Sequence, residues 1–184
     1  MMQWRKTGKK RMEIKNIELK AKYADLEEAA RISEALGARF DCEERQEDSF
    51  YNVPDGRLKL RRSSSLGAQL IFYRRADTSE KKESTGTRTP VPDPAEMHAI
   101  LSTVLGVRCT VRKRRRVYWL DNAKINIDEV EGLGKFIEFE VVLDAAHGEA
   151  EGQLLMDSLI REFDIEPEQR ISVAYADMLM NTGG

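Results

Sequence analysis

Polar and apolar residues alternate with a period of two along much of this chain. From Ile14 to Tyr23, Asn16, Glu18, Lys20 and Lys22 share one face, and Ile17, Leu19, Ala21 and Tyr23 share the other. That spacing predicts a β-strand with one charged face. Strands are also predicted at about 42–52, over Arg57–Arg62 and over Gln69–Arg75. In the second of these, Arg57, Lys59 and Arg61 oppose Leu58 and Leu60. Three more follow, over Val111–Leu120, Lys124–Val130 and Phe136–Leu143. There Asn126 and Asp128 oppose Ile125 and Ile127, and Glu138 and Glu140 oppose Ile137, Phe139 and Val141. The PDG at 54–56 and the EGLG at 131–134 read as turns.

Helical spacing occupies the rest. Asp25 is placed to cap a helix that ends before Gly37, with Leu26, Ala29, Ala30 and Leu36 as most of its buried stripe. A second helix starts at Asp93–Pro94 and stops at Gly106. Its stripe of Met97, Ile100, Leu101, Val104 and Leu105 reads as core packing, with His98 on the surface. Two helices are expected near the end, about 149–163 and 168–180, the latter with Ile171, Ala174, Tyr175, Met178 and Leu179 on one stripe. Residues 76–90 have loop composition, and residues 1–11 read as a flexible basic leader ahead of a single domain over 12–184.

The helices can cover the apolar faces of the strands, but the charged faces must line something or lie in water. A sheet with one solvated face is the plain reading of such alternation. A barrel with a polar interior is the other. The charges favour the second, because carboxylates and cations sit on different strands as like pairs about 7 Å apart.

Composition narrows the function. The 184 residues are 41% hydrophobic and 34% charged, with a formal net charge of −2. That balance argues against disorder. No apolar run is long enough to span a bilayer, and no signal-peptide pattern is visible. Two cysteines, Cys42 and Cys109, exclude a disulfide scaffold and suit a reducing cytoplasm. With two histidines and no CxxC, a structural zinc site is excluded as well. The near-neutral total conceals segregation: residues 112–116 are all basic, whereas residues 128–168 hold thirteen acids against Lys135 and Arg161. The RKRRR run invites a nucleic-acid reading, but the neutral balance and the few neighbouring aromatics count against it. Paired carboxylates hold hard divalent cations such as Mg²⁺ or Mn²⁺, and rows of Arg and Lys hold phosphate oxygens. A cavity with both suits a polyphosphate bridged to a metal.

Four segments resemble the CYTH domain, or triphosphate tunnel metalloenzyme, family. This family includes class IV adenylyl cyclases, thiamine triphosphatases and inorganic triphosphatases. Asn16-Ile17-Glu18-Leu19-Lys20 resembles its ExExK motif, with Asn in place of the first Glu. LKLR at 58–61 resembles LRIR, RKRRRVY at 112–118 resembles KxRxxY, and IDEVEGLGKFIEFE at 127–140 resembles LDxxxxLGxFxExE. The resemblance implies an α+β fold in which an eight-stranded antiparallel β-barrel forms a triphosphate tunnel, packed outside by helices. It implies phosphate binding by Lys20, Lys59, Arg61, Arg75, Arg88, Lys113 and Arg115, with Tyr118 carried over from its motif. It further implies metal ligation by Glu18, Asp128, Glu138 and Glu140, with Mg²⁺ or Mn²⁺ as cofactor, and a catalytic part for Lys20. The leading expectation is a cytoplasmic, metal-dependent phosphohydrolase acting on a triphosphate such as tripolyphosphate, ATP or thiamine triphosphate. The alternatives are a class IV adenylyl cyclase and a non-catalytic polyphosphate or nucleotide binder. A homodimer is the default assembly for a soluble protein of this kind.

Overall fold

The computed structural model describes residues 15–75, 84–144 and 146–182. In chain order they form β1 (Lys15–Lys22), α1 (Leu26–Ala35), β2 (Arg39–Tyr51), β3 (Arg57–Ser63), β4 (Gly67–Arg75), β5 (Ser84–Pro90), α2 (Pro94–Leu105), β6 (Val107–Leu120), β7 (Ala123–Val130), β8 (Gly134–Leu143), α3 (Glu149–Glu162), a 3₁₀ turn (Pro167–Gln169) and α4 (Tyr175–Thr182). All eight strands join one antiparallel sheet in the order β1-β8-β7-β6-β2-β3-β4-β5. The sheet curls until its edge strands β1 and β5 touch, with no ladder between them among the described residues. This is the α+β, barrel-like architecture expected. The expected leader over 1–11 lies outside the described residues. No described helix is long and apolar enough to cross a membrane.

Alternation decides which side chains enter the tunnel. The outward residues of β1, β7 and β8, among them Ile17, Ile125, Ile127, Ile137, Phe139 and Val141, form one core with Ala29 and Ala30 of α1 and Met156 and Leu159 of α3. Each large side chain buried there contributes about 1.5–3 kcal/mol. Gly152 lets α3 approach the sheet, because a Cβ at that position would lie 2.5 Å from Leu143 Cδ2 and 3.2 Å from Ile17 Cδ1. The caps are as expected. Asp25 Oδ1 accepts from the amides of Glu27 and Glu28 at 3.0 and 2.9 Å, and Asp93 Oδ1 from those of Ala95 and Glu96 at 3.1 and 2.9 Å.

Four expectations fail. Residues 84–90 are strand β5 rather than loop; hydrogen bonding to β4 overrides their Ser, Thr and Gly content. The α2 stripe is only half used. Met97, Leu101 and Leu105 pack on Tyr51, Leu60 and Val91, while Ile100 and Val104 stay 52% and 72% exposed. That cluster is narrow enough for a single i, i+4, i+8 line to cover it. His98 of α2 is tied inward, its Nδ1 2.8 Å from the Tyr51 hydroxyl. The last expected helix is broken. Arg170 bridges Ala21, the Ile171 amide donates to the Lys20 carbonyl at 2.8 Å, and α4 begins only at Tyr175. Pairing with β1 replaces two helical turns with a strap across one end of the tunnel.

Candidate functional site

Register sets the inward residues side by side. Glu18 faces Glu140 and Lys20 faces Glu138 across β1–β8, and Asn126 faces Glu138 across β7–β8. Asp128 faces Arg115 across β6–β7, Arg115 faces Glu44 across β2–β6, and Asp48 faces Arg61 across β2–β3. Most of these groups are deeply buried. Lys20, Glu44, Gln46, Asp48, Lys113, Arg115, Asn126 and Asp128 are each at most 8% exposed. Buried charges persist only when paired or bound to a ligand.

Arg115 is the centre of the carboxylate side. Its Nε and Nη2 donate to Asp128 at 2.6 Å each, Nη2 also reaches Glu138 Oε2 at 2.7 Å, and Nη1 lies 3.7 Å from Glu140 Oε1. Burial alone raises the carboxyl groups of Asp128 and Glu138, but Arg115 and neighbouring lysines more than reverse this and hold both below their ordinary values. Asp128 also accepts from Lys113 Nζ at 3.4 Å and from the Tyr175 hydroxyl at 2.9 Å. Burial, then the charge of Arg115, pushes Lys113 down to about 7 against the pull of Asp128.

The strap reaches the same groups. Lys20 Nζ donates to the Val173 carbonyl at 3.2 Å and stands 4.1 Å from the centre of the Tyr175 ring, and Lys113 Nζ lies 5.3 Å from that centre. Asp177 of α4 pairs with Arg57 at 2.7 Å and Arg108 at 3.6 Å. On the facing wall, Asp48 accepts from Lys59 Nζ at 2.8 Å and from Arg61 Nε and Nη2 at 2.7 Å each. Above it on β2, Glu44 accepts from Gln46, Ser63 and Ser65.

The tunnel therefore brings together Glu18, Lys20, Lys59, Arg61, Lys113, Arg115, Asp128, Glu138 and Glu140. Arg88 is exposed on β5 and pairs with Ile71, which pairs with Lys59, so it shares the inward face of the sheet with Lys59; the Arg75 side chain lies outside the described residues. Tyr118 points outward, with its ring edge-on to Phe40 and its hydroxyl 3.4 Å from Glu34. Sequence reasoning missed Glu44, Gln46 and Asp48 on β2 and the inward role of Tyr175. Charges on both faces of β2 erase its alternation, and nothing local to Tyr175 signals a partner 47 residues away in the chain.

The donor set fits a hard cation. Like charges directly opposite in a ladder, as at Glu18 and Glu140, are destabilising unless something cationic lies between them. Asn126 Oδ1 is buried without a hydrogen-bond partner, although its Nδ2 donates to Glu140 at 3.0 Å. Asn16 Oδ1, at the position of the replaced motif Glu, is buried and unpartnered too. Oxygen ligands of this kind are what Mg²⁺ and Mn²⁺ take. Among the described residues no group of three or more Asp, Glu, His or Cys side chains is arranged to hold a metal ion.

The model of the CYTH domain matches residues 14–175 of this chain. The chain belongs to the CYTH domain family. A provisionally named adenylate cyclase of Methanocaldococcus jannaschii is 24% identical over 170 residues, covering 88% of this chain and 97% of that protein. A Pyrococcus horikoshii protein of known structure superposes with a TM-score of 0.78 at 25% identity, covering 88% of this chain and 98% of that one. A Hippeastrum protein, provisionally an adenylyl cyclase and described as revealing a dominant triphosphatase activity, superposes at 0.63 with 15% identity, over 92% of this chain and 96% of that one. At that identity the likeness establishes the shared CYTH fold.

Proposed function

We propose that this CYTH protein is a metal-dependent triphosphatase whose tunnel holds an inorganic or organic triphosphate. One observation carries the reading: buried cations on β1 and β6, half-buried cations on β3 and a pair of opposed carboxylates on β1 and β8 face the same lumen. In this reading Lys20, Lys59, Arg61 and Lys113 bind and orient the phosphate oxygens, with charge-assisted hydrogen bonds at short range. Glu18, Glu138 and Glu140, with the Asn126 amide oxygen, would hold Mg²⁺ or Mn²⁺. When bound, the metal would neutralise charge on the transferring phosphoryl group. Arg115 keeps Asp128 and Glu138 ionised and fixed. Lys20 lies beside Glu138 and stabilises negative charge on the phosphate that leaves. The strap at 170–175 closes one end, so an organic group on the substrate projects toward the other.

The test is to incubate the purified protein with tripolyphosphate or ATP, with Mg²⁺, Mn²⁺ or EDTA, and to resolve products by phosphorus NMR. Metal-dependent orthophosphate release is expected, and Glu140→Gln is expected to abolish it while leaving the circular dichroism unchanged. Cyclic AMP with pyrophosphate from ATP would replace this reading with a cyclase, the activity in the Methanocaldococcus relative's name. Binding without turnover would make the tunnel a receptor for oligophosphates.

A further inference from the structure

The cations on β3 already hold an anion of the protein's own. Arg61 offers Nε and Nη2, the edge that grips a phosphate bidentately, to the two oxygens of Asp48, and Lys59 adds Nζ to one of them. The three side chains are 22%, 6% and 12% exposed in the order Arg61, Asp48, Lys59, so the guanidinium is the member most open to the lumen. Carboxylate and phosphate oxygens compete for the same donors, and one edge of Arg61 cannot serve both in full. Exchanging one anion for the other keeps both half-buried cations paired, which avoids the cost of leaving them bare.

We propose that Asp48 is a tethered competitor for the substrate's phosphates, occupying the Lys59–Arg61 pair in the free tunnel. The idea rests on the oligophosphate reading above and names what sets its affinity. A carboxylate fixed to the neighbouring strand acts at a high effective concentration. A single orthophosphate or a free carboxylate meets that competitor with nothing to offset it. An oligophosphate gains further contacts at Lys20 and Lys113 and can displace it. Asp48 thus lowers the affinity of every phosphate ligand at the Lys59–Arg61 pair by a common factor, which an oligophosphate withstands through its further contacts and which keeps the orthophosphate product from returning.

Tripolyphosphate and, separately, orthophosphate are titrated calorimetrically into the wild type and Asp48→Asn, without metal and at fixed ionic strength. Both ligands should bind Asp48→Asn more tightly, on the order of tenfold, the scale of one hydrogen bond to a charged group. Orthophosphate should also inhibit its turnover at lower concentration than in the wild type. A purely structural role for Asp48 would weaken binding instead. Unchanged or weaker binding by folded Asp48→Asn overturns the proposal, as does failure of both proteins to bind tripolyphosphate. If Asp48→Asn does not fold, Lys59→Met and Lys59→Met/Asp48→Asn carry the same comparison, with tighter binding expected in the second. Tighter binding without any turnover would leave Asp48 as the competitor and sink the triphosphatase. Turnover without tighter binding would do the reverse.

Discussion

Arg115→Met tests whether the carboxylates of the tunnel depend on one guanidinium. Arg115 is 2% exposed and Asp128 is fully buried, so the substitution removes the main counter-charge from groups that water cannot reach. Breaking a buried ion pair on one side costs about 3–5 kcal/mol. In a protein of this size that is a fall in Tm of roughly 6–20 °C. The pH dependence is more diagnostic. In the wild type, Asp128 and Glu138 titrate below their unfolded values because Arg115 outweighs their burial. Their contribution is complete above the unfolded values of about 3.9 and 4.3, and is lost as pH falls below them. Without Arg115, burial is left uncompensated for one of the two, which takes up a proton in the folded state. The folded protein then binds more protons than the unfolded one, so stability falls as pH rises from about 4 to 7, opposite in sign to the wild type. Urea unfolding at several pH values measures both effects. A loss under about 1 kcal/mol with an unchanged pH slope would refute the reasoning.

Three shorter predictions follow from the same structure. Lys113, pushed down to about 7, is largely neutral at pH 8 and regains its proton when an anion binds, so calorimetry in two buffers of different ionisation enthalpy should report proton uptake; equal heats would contradict this. Because its folded value lies below the unfolded one, Lys113 also makes stability rise with pH between about 7 and 10. Tyr175→Phe removes the hydroxyl that donates to Asp128 at 2.9 Å and should cost about 1–2 kcal/mol in denaturant unfolding. Gly152→Ala places a methyl 2.5 Å from Leu143 and should cost about 1–3 kcal/mol, read as a lower Tm with unchanged ligand affinity.

The sequence exposed most of the tunnel because β1, β3, β7 and β8 each keep charge on one face and apolar residues on the other. β7 and β8 carried both the alternation and the longest family motif, whereas β6 is basic on both faces over residues 112–116 and its Tyr118 points outward. β2 was legible only as a strand. Glu43, Arg45 and Glu47 charge its outer face while Glu44, Gln46 and Asp48 make its inner one polar, so no polarity pattern told them apart. β5 was hidden because it is held by its ladder to β4 rather than by propensity. The strap was hidden for a similar reason. Residues 168–180 have helical spacing, and contacts far away in the chain, the Arg170–Ala21 bridge, the Ile171 amide and Val173 carbonyl on Lys20 and the Tyr175 hydroxyl on Asp128, favour an extended start.

The position of that strap bears on how the protein is made. β1 pairs with β8, and the segment after α3 then bonds to β1, so residues 170–175 meet β1 beside the tunnel charges. During synthesis, β1 leaves the ribosome more than a hundred residues before its partner strand exists. Such long-range pairing is slow and leaves strand edges bare in the interval. The nascent chain therefore cannot complete its tunnel until residues 170–175 emerge. A stop codon before Tyr175 removes the hydroxyl that bonds Asp128 and so disturbs the tunnel more than its distance along the chain suggests.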